Sequence, residues 1–242
     1  MIGKLQGRIA LITGASRGIG AAVAKRFALE GAHIVAVART RGGLENTDDQ
    51  IRAELGLTAN APSPVTLLEL DLTELDSVDQ IGPTLARRFG RLDIVVGNAG
   101  ALGELSPMPH IEAADWKNVI DVNLNANWRL IRTTEPLLRK SDSGRAVYVT
   151  SGAARGKRPF WGGYAVSKAA LEMMITCWAA ENESTNIKIN LIDPGATRTA
   201  MRKTAYPGED PQNVKPPEDV TDTFLDLCSP ECSRHGDRVQ IY

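Results

Sequence analysis

Residues 13–20 read Thr-Gly-Ala-Ser-Arg-Gly-Ile-Gly, between a short apolar run at residues 9–12 and a stretch with helical periodicity. A glycine-rich turn that joins a buried strand to a helix leaves backbone N–H groups and the positive end of the helix dipole open to an anion. An ordinary tight turn is the alternative, but the flanking strand and helix are the context that a pyrophosphate site requires. We therefore predict that the turn binds a dinucleotide through Gly14, Ser16, Arg17, Gly18, Ile19 and Gly20.

Short apolar runs alternate with longer amphipathic stretches on both sides of this turn. The apolar runs predict strands at residues 8–13, 33–38, 65–70, 92–97, 145–150, 187–192 and 238–242. The amphipathic stretches predict helices at residues 18–30, 41–55, 74–89, 115–140, 163–183 and 218–228. Most of the strands are apolar throughout, as is typical of strands covered on both faces. The pattern predicts an α/β fold, a Rossmann-type doubly wound parallel sheet of about seven strands with helices on both faces. We expect residues 1–242 to form a single domain, because the composition does not change along the chain.

The composition excludes several classes of protein. The 28 basic and 29 acidic side chains nearly balance, which argues against a nucleic-acid or anionic-membrane partner. A hydrophobic fraction of 43% argues against a disordered chain, and three cysteines are too few for a disulfide scaffold. No apolar run approaches the roughly 20 residues of a membrane helix. We therefore expect a soluble, cytoplasmic protein.

The end of the second predicted strand bears on the type of dinucleotide. An acid at this position hydrogen-bonds the adenosine ribose and repels a 2′-phosphate, whereas an arginine pairs with that phosphate. Residues 37–40 read Val-Ala-Arg-Thr, and Arg17 lies in the glycine-rich turn. Arg39 and Arg41 can also be solvated loop charges. The missing acid and the arginines at 17 and 39 favour NADP (as NADPH) over NAD.

Tyr164 and Lys168 lie four residues apart at the start of a predicted helix, and hence on one face. A phenol titrates near pH 10, so acid–base catalysis at neutral pH requires its anion to be stabilised by about 4 kcal/mol. A nearby ammonium group contributes to that stabilisation. Taken alone, a tyrosine and a lysine at this spacing more often form a solvated helix face.

Further residues appear in a fixed order after the predicted strands or within the predicted helices: Asn98-Ala99-Gly100, Asn123, Ser151 and Pro194-Gly195. Each signal is modest by itself, since an asparagine or serine in such a place often only caps a turn. In this order and spacing, together with the glycine-rich turn and the Tyr-x-x-x-Lys pair, they resemble the short-chain dehydrogenase/reductase family. The resemblance covers nearly the whole chain.

This resemblance implies an oxidoreductase that transfers a hydride between NADP(H) and a small-molecule carbonyl or secondary alcohol. Tyr164 would protonate the carbonyl oxygen, or act as the base in the reverse direction. Lys168 would lower the pKa of Tyr164 and hold the nicotinamide ribose. Ser151 would hydrogen-bond the substrate oxygen, and Asn123 would sustain a water-linked proton relay.

The same resemblance assigns cofactor contacts after the other strands. Asp71 and Leu72 match the position that contacts adenine, although Asp71 can also begin the next helix with Thr73. Asn98 matches a residue that steadies the sheet beside the cofactor, and Thr197 one that contacts the carboxamide or phosphates. The remaining members of the predicted cofactor set are Arg39, Ala99, Gly100, Tyr164, Lys168, Pro194 and Gly195.

The family pattern also implies a homodimer or homotetramer, assembled through the helices that carry Asn123 and Tyr164. The alternative function is a non-catalytic regulator that senses the dinucleotide with the same fold. Such a protein would be expected to lose Tyr164, Lys168 or Ser151, and all three are present.

Three residue sets remain after these assignments. Leu102, Ala153, Phe160, Trp161 and either Met201 or Tyr206 are candidates for an apolar substrate pocket, or equally for the core or a subunit contact. Arg155 and Arg158 would attract an acidic substrate, although surface arginines are usually only solvated. The third set is Cys228, Cys232 and His235. No metal site is predicted there, because the set lacks a fourth ligand.

Overall fold

Seven parallel strands form one sheet in the computed structural model, which describes residues 3–242. The strands are β1 (Ile9–Thr13), β2 (His33–Ala38), β3 (Val65–Glu69), β4 (Ile94–Gly97), β5 (Arg145–Val149), β6 (Lys188–Asp193) and β7 (Arg238–Gln240). Their order across the sheet is β3-β2-β1-β4-β5-β6-β7, and every neighbouring pair is parallel. The predicted seven-stranded parallel sheet is confirmed.

Helices follow most of the strands. They are α1 (Gly18–Leu29), α2 (Arg41–Glu54), α3 (Leu75–Asp79), α4 (Ile81–Phe89), α5 (Ala113–Ile120), α6 (Ala126–Leu138), α7 (Gly162–Glu181), α8 (Ala200–Ala205) and α9 (Thr221–Cys228). Within residues 3–242, no helix has the length and apolar character needed to cross a membrane.

The helices cover both faces of the sheet because successive strand residues point to opposite sides. In β1, Ala10 and Ile12 pack into one hydrophobic cluster with residues of α1, α2 and α9. Ile9 and Leu11 pack into a second cluster with residues of α4, α6 and α7. The predicted helix layers are therefore confirmed, and the two clusters explain why the strands are apolar throughout.

The predicted helix at residues 115–140 contains an unexpected wide turn. The segment Asp121–Asn125, between α5 and α6, is π-helical, and the Ala126 N–H bonds to the carbonyl oxygen of Asp121, five residues back. Such turns occur frequently at functional sites. Asn123 lies at its centre. A second predicted helix, at residues 74–89, is divided into α3 and α4.

The strand order places a topological switch between β1 and β4. From β1 the chain builds the sheet in one direction through β2 and β3, and from β4 it builds in the other direction through β7. In open sheets of this kind, ligands bind at the carboxyl ends of the strands beside the switch.

Candidate active site

The carboxyl edge of the sheet collects most of the predicted site residues. Gly14 directly follows β1, Asn98 follows β4, and Pro194 follows β6, while Ser151 is the second residue after β5. Because the strands are parallel, these positions share one edge. The helix α7 brings Tyr164 to the same edge.

The glycine-rich turn has the backbone that its sequence requires. Gly14 and Gly18 have φ values of +68° and +57°, which glycine adopts far more readily than other residues. A Cβ on Gly20 would lie only 2.2 Å from the Gly14 carbonyl oxygen, so the first turn of α1 can pack this closely only with glycine at that position.

The start of α1 fits an anion such as the pyrophosphate of a dinucleotide. Its N-cap residue, Arg17, forms no side-chain cap, and the first helical turn contains no acidic residue. The backbone N–H groups of this turn therefore lack an internal acceptor and point toward the space in front of the helix. Ser16 and Ile19 are half-buried beside them.

Asn98 ties the end of β4 to the glycine-rich turn. Its Nδ2 donates to the carbonyl oxygen of Thr13 at 2.9 Å, and its backbone N–H donates to Thr13 Oγ1 at 3.0 Å. The Ala99 N–H donates to the same hydroxyl at 3.1 Å. Asn98 is thus placed where the family pattern expects a residue that steadies the sheet.

Asp71 and Leu72 follow β3 at the same edge. One carboxylate oxygen of Asp71 accepts hydrogen bonds at 2.9 Å from both the backbone N–H and the hydroxyl of Thr73. Leu72 is buried. Asp71 therefore organises the turn that precedes α3, and its contact with adenine stays a prediction.

Arg17 and Arg39 are both exposed. Neither forms an ion pair or hydrogen bond through its guanidinium within residues 3–242, whereas the nearby Arg41 pairs with Glu45 at 2.8 Å. The two side chains are therefore unneutralised cations beside the turn, as recognition of a 2′-phosphate would require.

Tyr164 and Lys168 lie buried on one face of α7. Lys168 Nζ is 5.9 Å from the centroid of the Tyr164 ring and donates to the Val149 carbonyl oxygen at 2.8 Å. Burial lowers the pKa of Lys168 to about 8. Burial raises the pKa of Tyr164 to about 12, against the opposing effect of a hydrogen bond with Ser151.

Ser151 stands beside Tyr164 at the start of a 3₁₀ turn, Gly152–Ala154. Its Oγ accepts the backbone N–H of Ala153 at 3.2 Å, which leaves its own proton available for donation. Its hydrogen bond lowers the pKa of Tyr164, although burial has the larger and opposite effect. This is the arrangement of a hydroxyl donor that favours the phenolate.

Asn123 is fully buried, and the wide turn directs its amide toward two other site segments. Its Oδ1 accepts the Ala101 N–H at 2.7 Å, and its Nδ2 donates to the Ala101 carbonyl oxygen at 2.8 Å. Nδ2 also donates to Ser167 Oγ at 2.9 Å. A Cβ on Gly100 would lie 3.4 Å from Asn123 Oδ1 and 3.7 Å from Lys168 Nζ, so Gly100 keeps this corner open.

The segment after β6 folds back over the glycine-rich turn. Gly195 has a φ of +66°, and its N–H donates to Asp193 Oδ1 at 3.0 Å. Thr197 is buried and donates to the Pro194 carbonyl oxygen at 3.3 Å. A Cβ on Gly18 would lie 3.3 Å from the methyl group of Thr199. The segment that carries the predicted cofactor residues 194–197 thus reaches the glycine-rich turn through Thr199.

An apolar cluster surrounds Tyr164. Four of the predicted pocket residues belong to this cluster: Leu102, Ala153, Trp161 and Met201. The partly buried Leu105, Ala165 and Ala205 pack with them. The Tyr206 ring lies 5.7 Å from the Trp161 ring. Phe160 lies outside the cluster, 58% exposed and with a φ of +72°. Phe160 therefore does not pack in the core, and its place in a substrate pocket or a subunit contact stays a prediction.

A buried ionic network behind the site was not predicted from the sequence. Glu172, one helical turn after Lys168, accepts from Thr150 Oγ1 at 2.8 Å and from Arg238 Nε at 2.7 Å. Arg238 also donates to Asp193 at 2.8 Å. The network connects the carboxyl ends of β5 and β6 and the first residue of β7 to α7. The feature of the sequence that could have indicated this network is an acid, Glu172, on the buried face of a helix.

Of the set Cys228, Cys232 and His235, the histidine is engaged with the backbone. His235 uses both ring nitrogens on backbone groups, with the Ile189 N–H at 3.2 Å and the Ala179 carbonyl at 2.8 Å. Among residues 3–242, no group of three or more His, Cys, Asp or Glu side chains is arranged to hold a metal ion.

Comparison with known proteins agrees with this geometry. The family model of the short chain dehydrogenases matches residues 8–210. The oxidoreductase YciK of Escherichia coli is 37% identical over 230 residues, which cover 95% of this chain and 89% of YciK. An NAD-dependent oxidoreductase of Mycobacterium tuberculosis is 35% identical over 206 residues, covering 82% of this chain and 74% of its own.

The fold is also found in solved structures. A structure from Escherichia coli CFT073, complexed with NADPH, has a TM-score of 0.92 and 36% identity, and covers 99% of this chain and 98% of that chain. The family model, the identity with YciK and the shared fold lead to one conclusion: the chain belongs to the short-chain dehydrogenase/reductase family of oxidoreductases.

Proposed function

We propose that the protein is an NADP(H)-dependent oxidoreductase that interconverts a carbonyl group and a secondary alcohol, with Tyr164 as the general acid or base. The strongest support is the arrangement around this phenol. Lys168 holds its ammonium group 5.9 Å from the ring, and the Ser151 hydroxyl lowers the pKa of the phenol against the larger, opposite effect of burial. Three residues that the family pattern requires thus converge in a buried site.

The protonation states suit carbonyl reduction. With a pKa of about 12, Tyr164 carries its proton at neutral pH and donates it to the carbonyl oxygen. With a pKa of about 8, Lys168 is mostly a cation at neutral pH and stabilises the phenolate that remains. Ser151 donates to the substrate oxygen and holds it in place. Asn123 sustains the proton relay toward Lys168. NADPH, when bound, supplies the hydride.

The cofactor would bind at the carboxyl edge of the sheet, beside the topological switch between β1 and β4. We assign its pyrophosphate to the glycine-rich turn, its 2′-phosphate to Arg17 and Arg39, and its adenine to Asp71 and Leu72. The residues at 98–100 and 194–197 would line its nicotinamide half. The NADPH complex of the structural neighbour supports this choice. The NAD-dependent relative makes NADH the comparison to measure.

We also propose that residues 1–242 form one NAD(P)-binding domain that assembles as a homodimer or homotetramer in the cytoplasm. Helix α7 exposes Val166 (41%) and Met173 (64%), and α6 exposes Trp128 (48%). Apolar side chains on helices that carry site residues support a subunit contact there. Light scattering tests the assembly, and a monomer would contradict it.

The decisive experiment compares the wild-type protein with Tyr164→Phe. We expect the wild type to oxidise NADPH with members of a carbonyl panel, and the variant to bind NADPH equally tightly with turnover reduced by about 10³-fold or more. Calorimetric titration measures the binding. Unchanged turnover would refute the role of Tyr164. NADPH binding without turnover of any carbonyl by the wild type would instead favour the dinucleotide sensor.

A further inference from the structure

Arg158 lies exposed beside the apolar cluster around Tyr164, in the loop between β5 and α7. Its guanidinium carbon is 5.3 Å from the centroid of the Trp161 ring, and its Nη1 donates to the Tyr206 hydroxyl at 3.1 Å. The Trp161 ring meets the Tyr164 ring edge-on, with 5.9 Å between the centroids. One aromatic side chain therefore separates this guanidinium from the phenol of the site.

The neighbouring arginines have acidic partners that Arg158 lacks. Arg155 donates to Glu172 at 2.9 Å, and Arg202 donates to Glu209 at 2.6 and 2.7 Å. For Arg158, the described part of the chain supplies no carboxylate at ion-pair distance. Its charge is therefore available to a ligand.

The acid closest to the reacting groups forms no ion pair with Arg158. Asp193 accepts from Arg238 at 2.8 Å and from the Gly195 N–H at 3.0 Å, so its two oxygens are already engaged. The charge of Arg158 still reaches the site. Burial chiefly raises the pKa of Tyr164, Asp193 raises it further, and Arg158 lowers it.

We propose that Arg158 determines specificity for a carbonyl substrate that carries a carboxylate at the far end of an apolar body. This inference rests on the proposed function, because it concerns the same site. The carbonyl would meet Tyr164 and Ser151, the body would pack against Leu102 and Trp161, and the carboxylate would pair with the guanidinium. Arg158 spends one of its five N–H donors on Tyr206 and keeps the others for a charge-assisted pair. The apolar cluster offers a carboxylate no such partner.

A purely structural role predicts a different outcome. Through Tyr206, Arg158 connects two loops beside the apolar cluster, and loss of this connection alone would impair neutral and acidic substrates equally. Specificity for a carboxylate predicts a selective loss. Substrate pairs that differ only in the charge therefore separate the two roles.

The test measures NADPH oxidation with 4-acetylbenzoate and with 5-oxohexanoate, each against its methyl ester. We expect kcat/KM for the acids to exceed that for the esters by about 10- to 100-fold in the wild type, as one charge-assisted pair allows. Arg158→Gln should remove this preference through KM, with a much larger loss for the acids than for the esters. Lys157→Gln, which removes the adjacent exposed cation, should keep the preference. Equal kcat/KM for acid and ester, or equal losses for both in Arg158→Gln, would overturn the inference.

A binding measurement distinguishes failure of the inference from failure of the proposed function. The NADP⁺-saturated protein is titrated calorimetrically with 4-acetylbenzoate and its methyl ester. We expect the acid to bind at least about 10-fold more tightly, and this advantage to disappear in Arg158→Gln. Acid-selective binding without turnover would refute the proposed reaction and retain the inference. Turnover of carbonyls with no acid preference in either measurement would retain the reaction and refute the inference.

Discussion

Lys168 Nζ donates a hydrogen bond to the carbonyl oxygen of Val149, the last residue of β5, at 2.8 Å. The contact holds an ammonium group in a buried position beside Tyr164, and the same burial lowers the pKa of Lys168 to about 8. The proposed reaction therefore depends on a cation that is lost at moderately alkaline pH.

The pH dependence of carbonyl reduction should show this loss. Below pH 8 Lys168 is charged and stabilises the phenolate that forms at Tyr164, and above pH 8 this stabilisation disappears. We expect kcat/KM to fall with an apparent pKa of about 8, measured with NADPH and one carbonyl between pH 6 and 9.5. A flat profile to pH 9.5 would contradict the role of Lys168.

The same group should also make folding stability depend on pH. The pKa of Lys168 is about 8 in the folded protein and 10.5 as its ordinary value. Between these values the unfolded chain binds more protons, so stability rises with pH. Relative to Lys168→Met, the wild type should gain about 2 kcal/mol between pH 8 and 9.5. Urea unfolding of both proteins at each pH measures the gain, and parallel curves would count against it.

Asn123 is expected to support both the fold and the site. In Asn123→Asp the side chain can no longer donate to the Ala101 carbonyl oxygen and to Ser167. We expect a loss of about 2–4 kcal/mol in unfolding free energy and a lower kcat. Asn125→Ala, in the same wide turn, removes a partly buried bond to Asp121 and should cost about 1 kcal/mol or less. Equal effects of the two changes would refute the special role of Asn123.

Gly20 of the glycine-rich turn and Gly42 of α2 should respond differently to substitution by alanine. A Cβ at Gly20 would lie 2.2 Å from a backbone oxygen, whereas at Gly42 it would meet nothing within 4 Å. Gly20→Ala should weaken NADPH binding and destabilise the fold by about 1–3 kcal/mol. Gly42→Ala should leave binding unchanged and stabilise α2 by up to about 1 kcal/mol. Unimpaired NADPH binding by Gly20→Ala would argue against a pyrophosphate at this turn.

Arg17 and Arg39 should set the preference between cofactors. Replacing either arginine by glutamine should raise the Kd for NADPH by about 10- to 100-fold and leave the Kd for NADH unchanged. Arg41→Gln is the matched control, because Arg41 is adjacent but paired with Glu45. Calorimetric titration with both cofactors checks the prediction. Tighter NADH binding by the wild type would overturn the assignment.

Features that depend on local sequence could be predicted. The glycine-rich turn needs positive φ values at Gly14 and Gly18, and only glycine provides them without strain. The site residues that follow the strands also converge as expected, because a parallel sheet aligns its carboxyl ends on one edge. Tyr164 and Lys168 share a face because their spacing matches the helical repeat.

Features that depend on partners distant in the sequence could not be predicted. The bond between Arg238 and Glu172 joins residues 66 positions apart, and no periodicity encodes such a pair. Arg155 and Arg158 look alike in the sequence, yet only Arg155 finds a carboxylate. The wide turn at Asp121–Asn125 was also hidden, because the apolar periodicity continues on both sides of it.

That wide turn gives the helix between Ala113 and Leu138 a surplus residue. A single π-turn arises when one residue is inserted into an α-helix without changing the phase of the helix on either side. Deleting Asn125 would therefore restore regular α-helix while α6 keeps the same face against the sheet. The protein would fold, but Asn123 would no longer be turned toward Ala101 and Ser167. The extra residue thus turns Asn123 toward the site without changing the face that α6 packs against the sheet.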